Sequence, residues 1–76
     1  FRDNAAVGRF ELETLEGIII AEYSDVGAVR LITHVETPEA ARGRGCAAQL
    51  MDAIVAHARA GGHKLRASCS YAAAYF

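Results

Sequence analysis

The strongest chemical signal in this sequence is the run Arg42-Gly43-Arg44-Gly45-Cys46-Ala47. Two glycines separated by one residue let the backbone bend until several N–H groups converge on one point. If a helix follows, its positive end joins those donors, and the combination suits a phosphate or pyrophosphate. Arg42 and Arg44 add charge for an anionic ligand. The plain alternative is a glycine-bearing turn with two solvated arginines, and the loop alone does not choose between them. Two better-known phosphate loops are excluded. No Lys-Ser or Lys-Thr pair follows Gly45, as a Walker loop needs, and position 48 is Ala, where a dinucleotide fingerprint needs Gly.

Four further side chains could carry chemistry. His34 and Glu36 lie two apart on an extended run and so share a face. An imidazole titrates near neutral pH and can accept a proton, or it can simply bond a backbone carbonyl at the side of a strand. Glu36 reads as a solvated strand end. Cys69 follows Leu65 and Ala67 at two-residue spacing, which makes it a small half-buried hydrophobe. Its place just before a helix start would instead lower its pKa and favour thiolate. Tyr75 lies six residues beyond Cys69, too far round a helix to share its face by necessity. Tyr71 reads as aromatic packing, Cys46 as a residue tucked under a helix, and His57 and His63 as surface groups. No C-x-x-C or H-x-x-x-H spacing is present, so no metal site is expected.

The elements that must position these groups follow from periodicity. Phe10 and Leu12 alternate with Arg9, Glu11 and Glu13, as in a half-buried strand. A turn at Glu16-Gly17 leads into a β-branched run over 17–24, and a second turn at Asp25-Val26-Gly27 leads into a third strand over 28–35. The period then changes. Ala47, Leu50, Met51, Ile54, Val55 and Ala58 line one face of a helix that stops at Gly61-Gly62. A fourth strand is expected over 63–68, and Ser70 can cap a second helix that is cut short at Phe76. Strand, helix, strand implies a parallel pair joined by a right-handed crossover. The fold class is α+β: a three-strand antiparallel meander, a βαβ unit and a C-terminal helix.

Seventy-six residues accommodate one domain, expected over 1–76. Hydrophobic residues make up 53% and charged residues 22%, which excludes a disordered chain. A net charge of −1 provides no basic footprint, so nucleic acid is not the expected partner. The longest apolar stretch, Ile18 to Ala21, is far below the roughly 20 residues of a membrane span, and no membrane partner is expected. Two cysteines read as free thiols of a reducing compartment, which places the chain in the cytoplasm. Exposed sheet edges are compatible with a monomer or a homodimer.

Taken in order, His34-Val35-Glu36, Thr37-Pro38-Glu39, Arg42-Gly43-Arg44-Gly45, helix, strand, Cys69 and Tyr75 resemble the GNAT superfamily of acetyl-CoA-dependent N-acyltransferases. The likeness is closest to its short single-domain members. In these a strand with His and Glu leads through Pro to an R-G-x-G-x-A loop, and a later strand ends in Cys before an aromatic, small residues and Tyr. Here that tail is Cys69-Ser70-Tyr71-Ala72-Ala73-Ala74-Tyr75. Ala40 stands where the wider superfamily has Gln or Arg, whereas Arg42 stands where the short members have their arginine.

The resemblance implies acetyl-CoA as co-substrate, with its pyrophosphate on Arg42, Gly43, Arg44, Gly45, Cys46 and Ala47. It implies that the pantetheine arm runs beside Thr33, His34 and Val35, where a backbone N–H polarises the thioester carbonyl. His34 is then the proton acceptor for a primary amine that attacks directly, and Tyr75 or Tyr71 the donor to the leaving thiolate. Cys69 falls beside the acetyl group, as pocket wall or as a covalent relay, with direct attack the commoner route in the superfamily. The acceptor, a small molecule or a protein, is not specified. Two other readings stay open at this level: a non-catalytic acyl-CoA-binding or interaction module, and a generic nucleotide binder.

Overall fold

Phe10 and Leu12 point to one side of a strand and pair with Ala21 and Ile19 on the next, so the interior begins as a two-strand ladder. The computed structural model describes residues 1–43 and 45–75, with the backbone alone for Tyr75. Five strands form one sheet in sequence order: β1 (Arg2–Asn4), β2 (Arg9–Thr14), β3 (Gly17–Val26), β4 (Val29–Glu36) and β5 (Lys64–Ala67). The first four are antiparallel, and β4 and β5 are parallel. A single 3-10 turn (Glu39–Ala41) precedes helix α1 (Cys46–Gly61), and α2 (Ser70–Tyr75) follows β5. The expected α+β architecture is present, with α1 as the crossover between the parallel strands.

Three features differ from the sequence reading. The meander has four strands, because Arg2–Asn4 pairs with β2 although its residues show no apolar alternation. The second turn is tighter than expected. Val26 pairs with Val29, so only Gly27 and Ala28 remain in the turn, with Gly27 at φ 61°. The third difference is a bulge. Glu22 pairs with His34 but Tyr23 pairs with Ile32, leaving Thr33 as an extra residue, its hydroxyl bonded to the Glu22 carbonyl at 3.3 Å. Strict alternation would put Ile32 and Val35 on opposite faces. The bulge brings both to the core side and turns His34 and Glu36 to the other face.

The core comprises Phe10, Ile19, Ala21, Ile32, Leu50, Met51, Ile54 and Ala72, so both helices pack into one cluster. Each large side chain fully buried there contributes about 1.5–3 kcal/mol. At one edge of this layer Arg30 lies over the Tyr23 ring, 3.9 Å from its centroid, and forms a two-point ion pair with Asp25 at 2.7 and 3.0 Å. Asp3 of β1 accepts from Tyr23 and, at 3.1 Å, from Arg30. Burial, helped by that Asp3 bond, pushes the Tyr23 phenol up to about 12. These contacts explain how a three-residue strand without an apolar face is held. They also correct the reading of His57, which is half-buried beside Phe10 and within 3.6 Å of Asp3.

Gly17 ties the β2–β3 hairpin to the segment that leads into the glycine loop. Its φ is 130°, and a Cβ there would meet Pro38 Cγ at 2.9 Å. Gly27 also has positive φ, but a Cβ there meets nothing within 4 Å. We therefore expect Gly17→Ala to cost about 2–3 kcal/mol and Gly27→Ala about 1 kcal/mol, read from urea midpoints. Equal losses would mean that the contact with Pro38 is not a constraint.

Candidate active site

The site is built where β4 and β5 part. Their parallel ladder runs from the pair Val29 and Lys64 to the pair Ile32 and Ala67. Beyond it, the Ile32 carbonyl accepts from both Ser68 and Cys69 N–H, at 3.0 and 3.4 Å, and the chain turns into α2. Thr33 to Glu36 of β4 therefore continue without a strand on that side among the described residues. The backbone groups of a strand must be satisfied somewhere, by water, side chains or a ligand laid alongside.

Next to this gap stands the start of α1. Gly45 is its N-cap with φ 73°, and Gly43 has φ 76°, a backbone shape that disfavours any side chain. No side chain caps the helix, so its first-turn N–H groups are left to solvent or to a bound group. A Cβ at Gly43 or at Gly45 would meet nothing within 4 Å, so the backbone there is open to close approach. A hollow of about 230 Å³ lies over this turn, lined by Gly43, Gly45, Cys46, Ala47 and Arg42, among others. A second hollow of about 420 Å³ continues from it along His34, Val35, Glu36 and Thr37. Thr37, Arg42, Ala47 and Tyr71 line both, so the two form one groove.

Arg42 is anchored by its Nε, which donates to the Thr37 carbonyl at 3.3 Å, and the rest of its guanidinium is unpaired among the described residues. His34 is exposed and stands 3.7 Å from the exposed Glu36 carboxylate. Cys69 does not line the groove, but its half-buried thiol is held at the parting of the strands. Backbone N–H groups of Ala72, Tyr71 and Val35 donate to the sulfur, Ala72 most strongly, and hold its pKa below the usual thiol range against the opposing effect of burial.

The structure thus brings His34, Val35, Arg42, Gly43, Gly45, Cys46 and Ala47 onto one groove. Thr33 sits in the bulge at its edge, and Cys69 just beneath. Arg44 and the Tyr75 side chain lie outside the described residues. Tyr71 is the residue that sequence reasoning undervalued. It is 42% exposed and lines both halves of the groove, because the short helix presents its first turn there. Its position directly after Ser70, at the opening of α2, was the available signal. Among the described residues no cluster of three metal-ligating side chains forms, and no helix is long and apolar enough to cross a membrane.

A family model described as GCN5-related N-acetyl-transferase matches residues 9–76, from the start of β2 to the last residue. No curated protein matches the chain.

The Cys69 environment has a measurable consequence. The three N–H donors stabilise the thiolate, so the folded pKa lies below that of the unfolded thiol. The stabilisation is present above the unfolded value, near about 8.5, and is lost as pH falls through the folded value. Cys69 should accordingly be alkylated by iodoacetamide faster than Cys46 near neutral pH, with its half-maximal rate at a lower pH. Mass spectrometry of the two cysteine peptides reads this directly. Equal rates would remove the claim of an activated thiol.

Proposed function

The chain belongs to the GCN5-related N-acetyltransferase family, and from that premise we propose that it binds acetyl-CoA and transfers the acetyl group to a primary amine. One observation carries this reading: the open glycine turn and the unpaired end of β4 lie on one continuous groove. A ligand with a pyrophosphate at one end and an extended amide-bearing arm fits both parts at once. The residues suit it. Gly43 and Gly45 leave the backbone clear, Cys46 and Ala47 offer first-turn N–H groups, and Arg42 and Arg44 bring positive charge. Thr33, His34 and Val35 offer the strand edge along which such an arm can pair.

For the reaction, the amine nitrogen bonds the acetyl carbon, the carbon–sulfur bond breaks, and the sulfur leaves with its electron pair. His34 accepts the proton lost by the amine, with the Glu36 carboxylate 3.7 Å from its ring. A backbone N–H of the stretch 33–35 donates to the acetyl oxygen as charge develops there. Tyr75 is the proposed proton donor to the departing thiolate, and Tyr71, which lines the groove, is the alternative donor. Direct attack needs nothing further, so Cys69, beneath the groove, only supports its acetyl end.

A covalent relay through Cys69 is the second reading, favoured by the three N–H donors on its sulfur. Two variants separate these roles. Gly45→Val should lower coenzyme A affinity by at least about tenfold, roughly 1.4 kcal/mol, by calorimetry. Cys69→Ala should leave that affinity nearly unchanged and reduce turnover only a few-fold. A turnover loss near a thousandfold, about 4 kcal/mol, would establish the relay instead. If Gly45→Val binds coenzyme A as well as the parent, the loop is only a turn and the proposal fails.

A further inference from the structure

The sheet face turned away from the two helices carries a hollow that the transfer chemistry above does not use. It is a shallow groove of about 250 Å³ lined by Val26, Val29, Leu31 and Arg66. Val26 is 66% exposed there. Strand alternation puts Val29 and Leu31 on the face opposite the buried Ile32, and the bulge at Thr33 then puts His34 and Glu36 on that same outer face. Without the bulge, His34 would point into the core and the groove would lead nowhere. With it, one strip of β4 runs from an apolar hollow to the imidazole.

The two ends of the strip carry opposite charge. Glu22 is the cross-strand partner of His34, and Glu36 stands 3.7 Å from the ring, so two carboxylates flank it. At the other end Arg66 is the ladder partner of Leu31, and Lys64 that of Val29. Neither cation has an ion-pair partner among the described residues. Leu31 and His34 are three residue steps apart on β4, about 10 Å at a strand rise near 3.3 Å.

We propose that this strip is the acceptor side of the site, and that the acceptor is a small amine whose aliphatic body ends in a carboxylate. The inference rests on the acetyl-transfer reading. The ammonium group lies between Glu22 and Glu36 within reach of His34, the aliphatic body covers Leu31 and Val29, and the carboxylate pairs with Arg66. An amine arrives protonated at neutral pH, and carboxylates beside the base both attract it and hold it where it can be deprotonated. A plain alkylamine would use the first two contacts and leave Arg66 unpaired. A polyamine would bring a second positive charge against Arg66 and Lys64 and be repelled.

The test is a methyl NMR titration of the full chain with ω-aminooctanoate and with octylamine, repeated on Arg66→Gln. Coenzyme A is titrated separately. Aminooctanoate should shift the methyl signals of Val26, Val29 and Leu31 and bind at least about tenfold more tightly than octylamine. Arg66→Gln, an exposed change, should abolish that difference and leave coenzyme A affinity unaltered. Equal affinity for the two amines, or shifts away from these three residues, overturns the assignment of the groove even if coenzyme A binds. The expected shifts in a chain that does not bind coenzyme A would support the groove and overturn the transfer reading alone.

Discussion

The parting of β4 from β5 after Ile32 is the constraint on which the rest of the molecule depends. A parallel pair connected through a sixteen-residue helix is ordinary, but here the ladder ends while β4 still has four residues to run. Leaving a buried backbone donor or acceptor unpaired costs about 1–3 kcal/mol. The fold leaves this requirement open to the groove at the free end of β4. The Thr33 bulge sits at the same point and sets which side chains face which way. One irregularity therefore fixes the strand edge, the His34 and Glu36 face, and the position of Cys69.

The glycine turn is adapted to this gap. A helix start capped by Gly45 forgoes the side-chain bond to the first amides that Ser, Asn or Asp would supply. The C-terminal end of α1 is treated differently. There Gly62, at φ 72°, turns its N–H back to the Ala58 carbonyl, and His63 N–H reaches the same oxygen at 2.9 Å. One end of the helix is closed by the chain itself, and the end beside the groove is left open. In a domain this small, stability is instead secured by the core around Phe10 and Ile32 and by the Arg30 cluster.

Much of this was legible in the sequence, for identifiable reasons. Leu50, Met51, Ile54 and Ala58 repeat at helical spacing, and all four are buried. Phe10 and Leu12 alternate, and both face the core. The order of motifs led to the family that matches residues 9–76. What was not legible depended on pairing at a distance. Arg2-Asp3-Asn4 carries no apolar signal, and its strand exists because β2 offers an edge and Tyr23 and Arg30 hold Asp3. The bulge at Thr33 leaves no mark on the local alternation of β4. It appears only in the pairing with β3. His57 reads as polar-face helix surface, yet Phe1, just before β1, and Phe10 of β2 pack against its ring. Tyr71 reads as packing because its neighbours are alanines, but α2 is short enough to end on the groove rather than cover it.

The central claim is that one ligand spans the glycine turn and the free edge of β4. Backbone amide NMR during a coenzyme A titration tests it most directly. The account predicts that the amides of Gly43, Gly45, Cys46 and Ala47 and those of His34 and Val35 shift together, along one saturation curve. Shifts confined to the glycine turn would reduce the site to a simple anion binder. No shift in either set at millimolar coenzyme A would contradict the account.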